Sequence, residues 1–225
     1  MATTPTRTQA RREDLRTRLT DIAERVIAEQ GLPALKARDL AAEAGCSVGA
    51  IYNVFADLTD LVMAVNGRTF QQLGRAVTAS LAARPLPPRD ALITMSQAYL
   101  HFAATNTRSW RALFDLEMST DAAVPDWYLA ELAKLFAIIA APLRQIFPDW
   151  PPAQIDLMTR ALFSSVHGIV LLGLERRISG VPTEQIERMI AVVLSNLTAA
   201  QAGTLPQDPP SPEPAVGAKP ASAQP

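Results

Sequence analysis

Cysteine is almost missing from this chain: Cys46 is the single one among 225 residues. It has no partner for an intrachain disulfide and cannot anchor a cysteine-based zinc or iron–sulfur site, so a reducing compartment, the cytoplasm, is expected. Histidine is nearly as scarce. Neither His101 nor His167 follows a glutamate by three residues, as a di-iron helical bundle requires, and H-E-x-x-H, G-x-S-x-G, G-x-G-x-x-G and phosphate-loop motifs do not occur. These absences speak against a helical enzyme, and neither a metal nor a cofactor is expected. Long apolar runs are missing too. The stretch 135–143 is interrupted by Pro142, and 166–174 is followed at once by Glu175, Arg176 and Arg177, both well short of the roughly 20 residues a membrane span needs. The first residues carry arginines with no apolar stretch behind them, unlike a signal peptide, so no membrane association is expected. Nor is there a surplus of either charge: 21 basic against 22 acidic side chains give a net charge of −1. That balance argues against a surface that traps nucleic acid everywhere, but it leaves room for a local basic patch.

What is present is 48% hydrophobic composition over 225 residues, enough to bury a core in one large domain or two small ones. Proline outnumbers glycine, 18 to 10, and much of the excess lies near the C-terminus. Residues 203–225 form a Pro-, Ser- and Ala-rich tail with too little apolar side chain to order itself, and disorder is expected there. The remainder is rich in alanine and leucine, shows little period-2 alternation and predicts an all-α protein. In the first segment Leu15, Leu19, Ile22, Ala23, Val26 and Ile27 mark one buried helical face, and Gly31 supplies a stop, which places a helix over 12–30. Eight further helices are predicted near 37–44, 48–55, 57–81, 89–106, 108–118, 126–146, 153–177 and 182–200, with Asp57 capping the fourth.

The stretch 37–55 meets the steric needs of a helix-turn-helix. Ala41 is small where two helices cross, Gly45 sits where the turn needs a positive φ and a Cβ is expected to clash, Leu40 and Ile51 face inward, and Ser47 can cap the second helix. Short helical hairpins with a glycine turn also occur in proteins that never touch DNA, so spacing alone leaves both readings open.

The motifs AERVIAEQG (23–31), ARDLAAEAGCSVGAIYNVF (37–55) and ADLTDLVMAV (56–65) go further. Over residues 15–65 the chain resembles the DNA-binding domain of the tetracycline-repressor (TetR) family of bacterial regulators. The resemblance implies a nine-helix architecture: a basic arm (1–11), a three-helix helix-turn-helix domain (12–56), and a helical domain (57–202) that binds a small effector and forms a homodimer. It implies that the second helix of the motif enters the major groove of a double-stranded, (pseudo)palindromic operator. Carried over position by position, Arg38 stands where an arginine reaches a base edge or phosphate, Lys36 adds a cation nearby, and Ser47 and Tyr52 match phosphate-holding positions. Val48, Gly49, Ala50, Asn53 and Val54 are assigned to the reading face. Of these only Asn53 offers hydrogen bonds, so few polar contacts plus DNA shape are expected to set specificity. Two departures stand out. Leu58 replaces the lysine usual at the start of the fourth helix, and Leu35, Lys36 and Ala37 supply no threonine or serine cap for the second. Arg7, Arg11, Arg12, Arg16 and Arg18 against Glu13 and Asp14 leave a surplus of three positive charges near the N-terminus, which could reach phosphate or the minor groove. Arg16 and Arg18 read better as the ordinary solvated end of the first helix than as DNA contacts. The alternative function is a protein of this fold that binds a small molecule with weak or lost DNA binding.

Beyond residue 57 the signals are compositional. Tyr99, Phe102, Trp110, Phe114 and Trp127 fall in an aromatic-rich region, either as plain core or as walls of a pocket for an apolar or aromatic effector. His167 joins them as core or ligand contact. With Gly168 it also resembles the histidine–glycine signature of a TetR C-terminal class called WHG, although Phe163 stands where that class has tryptophan. Ser164, Ser165, Gly168 and Gly173, with Ile169 and Leu172 beside them, and Met189 and Val193 on the last helix suggest a four-helix dimer interface, or close crossing within one chain. The expected function is a one-component repressor whose fourth helix acts as a lever: a ligand that favours the low-affinity state draws the two recognition helices out of register with their half-sites.

Overall fold

The computed structural model describes residues 6–82, 84–116, 124–175 and 181–199. Among them are nine α-helices, one 3-10 turn and no strand: α1 (Arg7–Gln30), α2 (Ala37–Ala44), α3 (Val48–Tyr52), α4 (Leu58–Ser80), α5 (Pro88–Thr105), α6 (Thr107–Ala112), α7 (Asp126–Ile146), α8 (Pro152–Leu174) and α9 (Thr183–Ala199). The all-α architecture is as expected. The predicted extensions to 118, 177 and 200, the tail 203–225 and the first five residues lie outside the described residues.

Local chemistry explains the helix ends. Thr6 Oγ1 accepts from Gln9 N at 3.3 Å and Thr6 N donates to Gln9 Oε1 at 2.8 Å, a capping box that starts α1 five residues before the expected position. Arg7 and Arg11, assigned to a flexible arm, are therefore helical. Gly31 ends α1 at φ 89°. Lys36 precedes α2 with no side-chain cap, and Gly45 ends it in the left-handed conformation, φ 64° and ψ 37°. A Cβ on Gly45 would meet nothing within 4 Å, so the expected clash is absent and backbone conformation alone demands glycine. Ser47 Oγ accepts from Ala50 N at 3.2 Å and opens α3. That helix stops at Tyr52, not at 55. After Asn53 the chain turns inward and buries Val54 and Phe55. Asp57 caps α4 as expected, accepting from Asp60 N at 2.7 Å.

Two apolar cores result. The smaller joins Leu19, Ala23 and Ile27 of α1 to Leu40 and Ala44 of α2 and to Ile51 and Phe55, and it takes in Leu61 and Val65 of α4 and Ala112 of α6. The larger packs α4, α5, α7, α8 and α9 around residues such as Leu92, Leu100, Leu143, Leu162 and Ile190. α4 belongs to both, so it is the mechanical connection between them.

α8 corrects one expectation. By length and composition alone it could cross a membrane, and most of its apolar window is not buried inside the chain. Ile155, Met158, Leu162, Val166 and Val170 recur at helical spacing and face the core, while Leu157 and Leu172 point outward at 60% and 63% exposure. A helix that is apolar on both faces needs a second covering surface.

Candidate functional site

Two sites are built on this frame, one on the helix-turn-helix and one between the C-terminal helices. On α3, Val48, Gly49 and Tyr52, with Asn53 at its end, follow i, i+1, i+4, i+5 spacing and form one exposed face, opposite the fully buried Ile51. Ala50 is half-buried at the edge of that face and Ser47 is exposed at its start. Arg38 on α2 and Lys36 before it are exposed, with no carboxylate within ion-pair distance among the described residues. Val54 does not belong with them. It is 6% exposed and packs in the small core, because α3 ends two residues before it.

The basic residues of the first half of α1 divide into two sets. Arg16 lies 4.3 Å over the Phe55 ring, donates to Val54 O at 3.0 Å and reaches Asp60 at 4.0 Å. Arg18 donates to Ala44 O at 3.2 Å and pairs with Asp14 at 2.7 Å. Both hold the domain together. Arg7, Arg11 and Arg12 stay exposed and, among the described residues, have no ion-pair partner. Leu58, in place of a lysine, is half-buried against the small core.

The second site is an apolar cavity of about 300 Å³ enclosed by α4, α5, α7 and α8, with Leu113 and Phe114 closing it after α6. Phe70, Leu73 and Val77 of α4, Leu92 and Met95 of α5, and Leu135, Phe136 and Ile139 of α7 supply much of its wall. The polar groups are few: Ser96, Tyr99, Tyr128 and Arg160.

Of the six pocket residues expected from sequence, Tyr99 and Phe114 line this cavity and four do not. Trp110 is 1% exposed and sits behind the wall, donating from Nε1 to Tyr99 Oη at 2.9 Å. His167 forms a second layer: its Nδ1 is 2.8 Å from Tyr99 Oη, and its ring lies 4.1 Å from that of Phe114. Because the indole can only donate, the tyrosine hydrogen is left for Nδ1, which fits a neutral imidazole protonated at Nε2. Burial pushes the Tyr99 hydroxyl's pKa above its ordinary range and the His167 pKa below 6.5, so both stay uncharged at neutral pH. Phe102 is buried further along α5, beside an open groove with His101 and Glu187. Trp127, partly exposed at the start of α7, packs its ring on α4, where a Cβ on Gly67 would come within 3.0 Å of it. The aliphatic positions of α4 and α7 that replace them looked like ordinary core in the sequence.

α4 connects the sites. Its cavity side carries Phe70, Leu73 and Val77. From the same turns Arg68 pairs with Asp21 at 2.6 Å and Glu24 at 2.7 Å, and Gln72 donates to Glu24 at 2.9 Å, all on α1. Buried Asn66 donates to Ala112 O at 2.9 Å, tying α4 to α6. Burial raises the pKa of the nearby Tyr128 hydroxyl, an effect partly offset by the Asn66 side chain. The Asn66 Oδ1 itself has no hydrogen-bond partner.

The α8 and α9 outer faces form a third feature. Leu172 and Met189 are exposed, Ser165, Ile169 and Val193 are half-buried, and Val192 is exposed beside them. The space beyond Gly168 is open, whereas a Cβ on Gly173 would collide with Ile186 Cδ1 at 2.5 Å. Close approach at Gly173 thus serves packing within the chain.

Sequence comparison decides the family. Residues 19–65 match the model for bacterial regulatory proteins of the tetR family, and residues 92–197 match the model for the tetracyclin repressor-like C-terminal domain. The chain belongs to the TetR family. As a TetR-family protein it is a DNA-binding transcription regulator and not an enzyme, of a kind that typically binds small molecules as a dimer. No curated protein matches it by sequence. Solved structures share the TetR fold at low identity. A Rhodococcus sp. RHA1 protein of unknown function is 21% identical with TM-score 0.64, covering 82% of this chain and 94% of its own. RolR in complex with its ligand resorcinol is 19% identical with TM-score 0.65, covering 86% and 91%. A TetR-family transcriptional regulator from Streptomyces coelicolor is 20% identical with TM-score 0.58, covering 82% and 98%.

Proposed function

We propose that this TetR-family protein is a cytoplasmic repressor that binds a (pseudo)palindromic operator as a homodimer and leaves it when a small apolar or aromatic molecule enters the α4–α5–α7–α8 cavity. The observation that carries this reading is α4 itself, which lines the cavity with Phe70, Leu73 and Val77 while Arg68 and Gln72 hold α1 of the DNA-binding domain. A molecule that wedges against the first face moves the second. It shifts the equilibrium only to the extent that it binds the released state more tightly than the bound one. The structure of RolR with resorcinol, a small aromatic held by a protein of similar fold, supports the ligand class.

On the DNA side, Arg38 is assigned to a base edge or phosphate, Ser47, Tyr52 and Lys36 to phosphates, and Val48, Gly49, Ala50 and Asn53 to the groove. The exposure of one continuous α3 face and the unpaired Arg38 and Lys36 support this. Leu157, Leu172, Met189 and Val192, the open space beyond Gly168, and the half-buried Ser165, Ile169 and Val193 support a four-helix interface with a second copy. Such an interface would cover the outward apolar face of α8. The test is retardation of DNA from beside the protein's own gene, with sequence competitors: a specific complex at low salt is expected, and its absence refutes the reading. Loss of DNA binding is the second reading, favoured by the half-buried Leu58 and by the withdrawal of Val54 from the reading face. The Arg38→Ala, Tyr52→Ala double variant separates the two, since unchanged residual DNA affinity favours the second.

A further inference from the structure

The cavity that receives the effector has one charged residue in its wall, Arg160 of α8. Arg160 is exposed, and its guanidinium carbon lies 5.2 Å from the centroid of the Phe136 ring, another wall residue. That contact holds the guanidinium beside the apolar lining, and no protein acceptor among the described residues takes its hydrogen-bond donors. Among the described residues no carboxylate lies within 4.0 Å of it, in contrast to Arg68 and Arg111, which are paired with acidic side chains. The remaining wall polar groups are already engaged or buried. Ser96 Oγ donates to Leu92 O at 2.9 Å, Tyr99 Oη joins Trp110 and His167, and Tyr128 lies by Asn66. An apolar chamber with a single free fork of donors at its rim is complementary to a molecule with an apolar body and one planar anion.

Size narrows the body. An apolar cavity of about 150 Å³ accommodates one benzene ring, and this one is about 300 Å³, so it has room for two rings with a small polar group. We infer that the effector is an aromatic monocarboxylate of about two rings, its rings between α5 and α7 and its carboxylate on Arg160. This rests on the cavity being the effector site, and it goes beyond that reading by assigning the ligand's charge and the residue that reads it.

The test is calorimetric titration of the full chain with 2-naphthoate and with 2-naphthamide, a neutral molecule of the same shape. About tenfold or greater preference for the acid is expected, the yield of one charge-assisted contact. It should shrink as sodium chloride is raised, because Arg160 lies at the solvent side. In Arg160→Gln, on an exposed helix face where the fold is undisturbed, the preference should fall to within about twofold while amide binding persists. Ile139→Phe, which fills the cavity, should weaken both probes, with circular dichroism confirming the fold. Equal affinity for acid and amide, or a preference that survives Arg160→Gln, overturns the inference and leaves the cavity as a neutral-effector site. Binding of neither probe, or binding untouched by Ile139→Phe, overturns the cavity reading together with it.

Discussion

Replacing Tyr99 by phenylalanine removes one oxygen and isolates a buried donor. In the native chain Tyr99 Oη accepts the Trp110 Nε1 hydrogen at 2.9 Å, on an indole that is 1% exposed. Tyr99→Phe takes away that N–H's acceptor, at a cost of about 1–3 kcal/mol. The His167 end of the chain adds little, because the half-buried imidazole can turn to solvent. A net loss of about 2 kcal/mol corresponds to a midpoint lowered by about 4–8 °C for a chain of this size. Urea denaturation followed by far-ultraviolet circular dichroism, at one fixed protein concentration, measures it, with an unchanged m-value expected. Trp110→Phe supplies the control: in that background no donor is stranded, and Tyr99→Phe should cost at least about 1 kcal/mol less. A Tyr99→Phe cost below about 0.5 kcal/mol, or the same cost in both backgrounds, refutes the hydrogen-bonded wall.

Other expectations follow from the same geometry. Gly45→Ala should destabilise the protein by about 1 kcal/mol or more through backbone strain alone, and Gly45→Asn by less, since asparagine tolerates the left-handed region; equal stability of all three in urea contradicts this. Leu172→Glu with Met189→Glu should convert a dimer to monomer in analytical ultracentrifugation while helicity is kept, because both side chains are exposed on the α8–α9 outer face. With pH, burial holds the folded-state pKa of His167 below its unfolded value of 6.5. The unfolded chain therefore binds the proton first, so the His167 contribution is fully present above pH 6.5 and declines as pH falls below it. In thermal melts the stability difference between wild type and His167→Gln should be constant above that value and shift to the disadvantage of wild type only on its acidic side.

Much of the fold was legible because helix boundaries are set by chemistry within a few residues. Gly31, Gly45, Ser47 and Asp57 each act through their own dihedral angles or through a bond to a backbone amide three residues away, and a linear sequence carries that information. Where the reading fell short, a competing local signal was underweighted. Thr6 and Gln9 form a capping box that starts α1 early, and the short α3 sends Val54 inward.

The sequence by itself determined an all-α chain, a helix-turn-helix with most of its exposed α3 residues, and the inward face of the first helix, because 3.6-residue periodicity records which side leaves water. Only the tertiary structure decided which buried residues face a void and which face a neighbour. That depends on the separation of helices far apart in the chain, which is fixed by the summed volumes of side chains from several of them. So Trp110 and His167, conspicuous in the sequence, became the hydrogen-bonded support behind Tyr99, while Leu73, Leu135 and Arg160, unremarked there, became the cavity wall.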